Sequence, residues 1–267
     1  NYYLQRAFET RYLVELLSVL PFRRGDIDFS ETMKNIADLY SQPRAFLPYL
    51  FNDDLFFIGF YSTKSSKGHL EFIADLMDLS PLDNLVEIGL SQGSGQVELC
   101  ERYKPNVHSI FLSPEHKVAL ENGSQISLQK DFISLGDFNQ LDQYCQKHSP
   151  SKMIVNCFFE PVTDKLLKKI IDAFKLSSFK GKKIYIQGLF APNYRNIERL
   201  IPDVTVRQEF SYSEQATDLL KSKEKALYQY KDTMGDLFYR TWRLYFIERY
   251  LSLVRQDYRA SGLLLEL

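Results

Sequence analysis

The sequence predicts an α/β fold: a seven-stranded, mostly parallel sheet with helices on both faces, and helical additions before the sheet and late within it. Two observations predict it. Between residues 84 and 190, short apolar runs of strand length alternate with longer stretches whose apolar residues recur every three or four positions. The first of these runs is followed at once by the glycines Gly89, Gly93 and Gly95, after which helical composition resumes. Strand–helix–strand units of this kind close through right-handed crossovers, which put helices on both faces of a parallel sheet.

Taken in order, the chain opens with a helical, aromatic-rich region. Leu4, Phe8, Tyr12 and Leu16 recur at helical spacing, and beyond the break at Pro21 and Gly25 so do Met33, Ile36, Ala37 and Tyr40. Pro43 and Pro48 end that pattern, and residues 52–62 are dense in Phe and Tyr. We expect residues 1–65 to form an N-terminal helical cap. From His69, the set Leu70, Ile73, Ala74 and Met77 marks an amphipathic helix that ends near Ser80 and Pro81 and leads into a strand at 85–88. Helix is expected at 97–103 and strand at 107–112; Pro114 opens a helix to 121. Ile126 and Leu128 mark a third strand, and Phe138, Leu141 and Cys145 the helix after it. A fourth strand at 153–159 precedes a helix carrying Leu166, Leu167, Ile170, Ile171 and Phe174, and Ile184 and Ile186 mark a fifth. The tail offers a strand at 204–210, a charged helix capped by Ser213 and running to Tyr230, a long aromatic helix over 236–255 and a short last strand at 263–267. Residues 66–267 thus read as one Rossmann-like domain with a helical insertion at about 211–258, and both helical additions are placed as a lid.

Composition narrows the classes. With 45% hydrophobic and 25% charged residues, the 267-residue chain can bury a core of ordinary size. Its 33 basic and 34 acidic residues are intermixed, so it carries no electrostatic footprint for a nucleic acid. No apolar run is long enough to span a bilayer, so no integral membrane segment is expected. The opening residues lack a signal-peptide pattern, and the missing initiator Met suggests a trimmed start. Cys100, Cys145 and Cys157 have neither disulfide nor zinc spacing, so a cytoplasmic setting is expected.

The glycine turn carries the functional reading. Such a turn lets backbone approach a ligand and points the free N–H groups of the next helix at it, which suits a nucleotide-like molecule. Gly89, Ser91 and Gly93 also form the G-x-S-x-G of a nucleophile elbow. In hydrolases with that elbow, the histidine follows several strands later, and the last histidine here is His148, too early in the chain.

Glu87, Gly89 and Gly93 resemble motif I of the class I S-adenosylmethionine (SAM) methyltransferases, with Ser91 in place of the middle glycine. From about residue 30 onward the chain is similar to the cyclopropane-fatty-acid-synthase branch of that family. Ile36-Ala-Asp-Leu-Tyr40 with Gly59-Phe-Tyr-Ser62, Ser109-Ile-Phe-Leu-Ser-Pro-Glu-His116 and Phe238-Tyr-Arg-Thr-Trp-Arg-Leu-Tyr245 carry the likeness. The resemblance implies SAM as cofactor. Glu87 would hold motif I, Gly89 and Gly93 would admit the cofactor, Tyr61 and Ser62 would bond its carboxylate end, and Asp131 and Phe132 would face its adenine. Ser91, Phe111, Leu112 and His116 occupy further cofactor positions, and Glu160, in the fourth strand's exit loop, matches a reaction-site glutamate. Tyr239 is a second candidate for proton removal or for stabilising a developing cation.

The departures from the pattern matter as much. Ser91 adds a side chain where cofactor passes, and Phe111 stands where an acidic residue or threonine bonds the ribose. His116 replaces a glutamine and Pro161 a histidine, while Thr63 and Gln187 stand where synthases have the cysteine and histidine of a bicarbonate site. Three functions therefore stay open: a SAM-dependent methyltransferase for a small lipophilic substrate, a methyltransferase-fold protein that has lost methyl transfer, and a serine hydrolase. A homodimer or a heteromeric partner is open as well.

Overall fold

The computed structural model describes residues 66–88, 94–111, 133–135, 141–178, 181–192, 197, 201–234 and 236–267. The N-terminal cap, the helix at 114–121 and the strand at Ile126 and Leu128 lie outside the described residues. The elements in order are α1 (Ser66–Leu76), β1 (Asn84–Ile88), α2 (Ser94–Tyr103), β2 (Asn106–Phe111), β3 (Ile133–Leu135), α3 (Leu141–His148), β4 (Lys152–Val162), α4 (Asp164–Lys175) and β5 (Lys183–Phe190). There follow β6 (Thr205–Ser211), α5 (Ser213–Gln229), the single turn α6 (Lys231–Met234), α7 (Asp236–Val254) and β7 (Arg259–Glu266).

Among the described residues, seven strands form one sheet in the order β3-β2-β1-β4-β5-β7-β6. Pairing is parallel from β3 through β5, and β7 runs antiparallel to both β5 and β6. Alternating side chains send the sheet's apolar residues to two cores. Val86, Met153, Val155, Ile184, Ile186, Leu263 and Leu265 join α3, α4 and the insertion helices α5 and α7, with Trp242 and Phe246 fully inside. On the other face Leu85, Val107, Ile154, Tyr185 and Leu264 meet α1 and α2.

Local chemistry explains the boundaries. Thr163 caps α4, its side chain accepting from Leu166 N–H at 3.1 Å. At the other end, Lys182 Nζ donates to the carbonyls of Phe174 (3.0 Å), Lys175 (3.1 Å) and Ser177 (3.1 Å), adding a donor where the helix runs out of N–H groups. Edge strand β6 bulges at Arg207, between Val206 and Gln208, and exposes Arg207 and Glu209, which discourages pairing with another chain.

Four expectations change. The strand beside β2 is Ile133–Leu135, later than the anticipated 126–128. β4 extends to Val162, so Glu160 belongs to a strand and not to an exit loop. Ser213 does not cap α5: its Oγ accepts from Ala260 N–H at 3.1 Å, and Tyr212 N–H donates to Ala260 O at 2.8 Å, so cross-strand bonding outcompetes the cap. β7 begins at Arg259, four residues ahead of the expected start, because small Ala260, Ser261 and Gly262 pair fully with β5.

Candidate cofactor site at the carboxyl ends of the strands

Strand order reverses between β1 and β4: from β1 the chain moves outward to β2 and β3, and from β4 it moves the other way to β5. In open α/β sheets such a reversal marks the carboxyl-end crevice where ligands sit. β1 stops at Ile88 and helix resumes at Ser94. Gly89, Ser91 and Gly93 form the connection and lie outside the described residues. Glu87 is buried, 4% exposed, opposite Ser109 on β2 and Ile154 on β4. β2 ends at Phe111, level with Leu135 of β3. Tyr61, Ser62, Leu112, His116, Asp131 and Phe132 lie outside the described residues.

Polar residues line the α1 face of the sheet at this end. Ile88 pairs with Val155, so Asn156 stands one residue beyond the last β1 pair, and Asn156 in turn pairs with Gln187. Gln187 Nε2 donates to Asn156 Oδ1 at 3.1 Å, and Gln187 Oε1 accepts from His69 Nε2 at 2.8 Å and from Tyr185 Oη at 3.2 Å. Tyr185 and Tyr212 share a hydrogen bond of 3.1 Å between their hydroxyls. Because Oε1 can only accept, His69 presents Nε2–H. Burial pushes the His69 imidazole down to about 4 against the raising effect of Gln187, so the ring is neutral at physiological pH. Burial likewise raises both tyrosines, which stay protonated. Gly262, paired with Gln187, is required here: a Cβ would stand 2.8 Å from Tyr212 Cε2 and closer still to Tyr185 Oη.

The two candidate catalytic residues fall in different places. Between Asn156↔Gln187 and Pro161↔Leu189 the β4–β5 register slips, so residues 157–160, Glu160 among them, face Gly188 alone. Such bulges re-aim side chains beside active sites. Tyr239, on α7, is 3% exposed inside the larger core, with Lys231 Nζ 5.0 Å and the Arg243 guanidinium 5.8 Å from its ring centre.

No family model matches the chain. Over 153 residues, 57% of its length, it is 28% identical to the uncharacterized protein MG366 of Mycoplasma genitalium, and the match spans only 22% of that protein. The cyclopropane synthase MmaA2 from Mycobacterium tuberculosis superposes with a TM-score of 0.75 at 10% identity, over 90% of this chain and 100% of that one. Geranyl diphosphate C-methyltransferase from Streptomyces coelicolor A3(2), in complex with Mg2+, a geranyl thiolodiphosphate and S-adenosylhomocysteine, gives 0.62 at 14%, over 90% and 99%. The [4+2]-cyclase SpnF gives 0.66 at 8%, over 88% and 96%. The fold is that of the class I SAM-dependent methyltransferases.

Asp131 and Phe132, outside the described residues, precede β3 in the sequence; Asp137 and Phe138 are the acid and aromatic that follow it. Gln187 is fully buried and spends its amide on His69, Tyr185 and Asn156. The hydrolase reading loses its base. His148, the last histidine, lies at the amino end of β1, its carbonyl accepting from Asn84 Nδ2 at 3.4 Å, whereas Ser91 follows the carboxyl end. His69, Asn156, Tyr185 and Tyr212 were not singled out from sequence as site residues. Their signal was present: Asn156 and Gln187 are isolated amides inside otherwise apolar strand runs.

Proposed function

We propose that this protein binds SAM in the crevice between β1 and β4 and methylates a small lipophilic acceptor. The observation that carries the reading is the strand order with its reversal beside β1, followed by a glycine segment and a helix beginning at Ser94. Two features fit the cofactor in kind: a buried carboxylate at Glu87 and a helix N-terminus beyond the glycines. When bound, SAM supplies a methyl group on a sulfonium sulfur.

The chain's own residues would hold and shield the reacting pair. Gly89 and Gly93 would admit the cofactor with Ser91 beside it, Tyr61 and Ser62 would take its carboxylate end, and Leu112 and His116 would continue the wall that Phe111 begins. We assign the adenine side to Asp137 and Phe138 in place of Asp131 and Phe132, on the position of β3. Proton uptake from the acceptor goes to Glu160 on the β4 bulge. Tyr239 already carries two cations at its ring and serves packing. A lipophilic acceptor is supported by the geranyl substrate analogue in the S. coelicolor neighbour and by the synthase activity of the mycobacterial one.

Calorimetric titration of SAM and S-adenosylhomocysteine into the protein, with Gly93→Arg as control, tests the reading. Micromolar binding that the control abolishes is expected. No heat at millimolar ligand would overturn it and would favour a fold kept without methyl transfer, the outcome that Ser91 and Phe111 point toward.

A further inference from the structure

A buried polar side chain persists inside an apolar sandwich when its partners are arranged around it, and a connected set of such groups links the elements that carry them. On the α1 face, the set centred on Gln187 joins four elements. His69 comes from the first turns of α1, Asn156 from β4, Tyr185 and Gln187 from β5, and Tyr212 from the corner between β6 and α5. The hydrogen bonds between His69 and Gln187 (2.8 Å), Tyr185 and Gln187 (3.2 Å), Gln187 and Asn156 (3.1 Å), and Tyr185 and Tyr212 (3.1 Å) form one chain. The edge of the His69 ring meets Tyr212, centres 5.7 Å apart at 80°, and closes it. His69 and Gln187 are both 0% exposed.

Each end of the chain stands at a boundary of the crevice. Asn156 and Gln187 form the last regular pair before β4 bulges over 157–160. His69 sits at the start of α1, shortly after Tyr61 and Ser62 in the sequence. Tyr212 is the residue from which the helical insertion departs.

We propose that Gln187 is a positioning residue that sets the β4 bulge, the start of α1 and the first residue of the insertion in one arrangement. Its two-ended amide is what makes this work: Oε1 accepts and Nε2 donates, so one side chain holds His69 and Asn156 together. The inference rests on the methyltransferase reading for the role of Glu160 on that bulge; the coupling among the three elements does not.

Hydrogen–deuterium exchange on the full chain tests it with Gln187→Met, His69→Leu and His69→Gln, the last keeping a donor toward Oε1. Gln187→Met and His69→Leu should speed exchange by about tenfold over 156–162 and 212–216 while the central strand β1 stays protected, and His69→Gln should restore wild-type protection. Unchanged exchange over 156–162 in Gln187→Met would overturn the proposal. So would equal loosening in His69→Gln and His69→Leu, since shape and not the hydrogen bond would then matter. Should Gln187→Met exchange everywhere through global unfolding, the two His69 variants decide. Titration of S-adenosylhomocysteine into the wild type runs alongside. Silence there sinks the methyltransferase reading alone, and the exchange pattern still judges the coupling.

Discussion

Acidification should destabilise this protein through His69 well before its carboxylates protonate. The imidazole is fully buried and its pKa falls to about 4, against 6.5 in the unfolded chain. Between these values the unfolded state binds a proton that the folded state refuses, so stability is fully present above pH 6.5 and is lost as pH falls toward 4. Those two values give a loss of about 2 kcal/mol between pH 8 and pH 5, rising to about 3 kcal/mol near pH 4. Urea unfolding of wild type and His69→Gln at both pH values reads it. The variant keeps a donor toward Gln187 but cannot titrate, so it should escape that loss. His148 is also lowered, by burial and then Lys147, and has the same sign, but it is present in both proteins and cancels in the comparison. Equal losses in the two proteins would refute the argument, because the proton would then be taken up elsewhere.

Further outcomes follow from single contacts. Gly262→Ala forces a methyl group against Tyr185 and Tyr212, and overpacking of this kind should cost about 1–3 kcal/mol in urea unfolding. Lys182→Met leaves three carbonyls at the end of α4 without their ammonium donor, and thermal melts should show a loss of about 1–3 kcal/mol. If β3 sets the adenine side, Asp137→Asn should weaken S-adenosylhomocysteine binding by about tenfold or more while Asp131→Asn leaves it near wild type; the reverse order would restore the earlier assignment.

Much of the architecture was legible in the sequence, and the reason is local periodicity. Helix α4 announces itself through Leu166, Leu167, Ile170, Ile171 and Phe174, and β1 through an apolar run that stops at a glycine, because each pattern lies within a dozen residues and one period. The fold class and the end of the sheet at which a ligand belongs follow from those patterns by chain geometry alone. The third strand did not follow. Ile126 and Leu128 alternate as well as Ile133 and Leu135 do, and the strand that pairs with Ser109 and Phe111 of β2 is the one at 133–135. The bulge that carries Glu160 is likewise a mismatch of register between two strands, which neither strand encodes by itself. The polar chain through His69, Asn156, Gln187 and Tyr212 includes a hydrogen bond between residues 118 positions apart. Sequence by itself determined most of the elements outside β3, their order and the glycine segment beside β1. Tertiary structure decided which polar groups meet, because strand register and the packing of α1 against the sheet are set by burial across the whole domain.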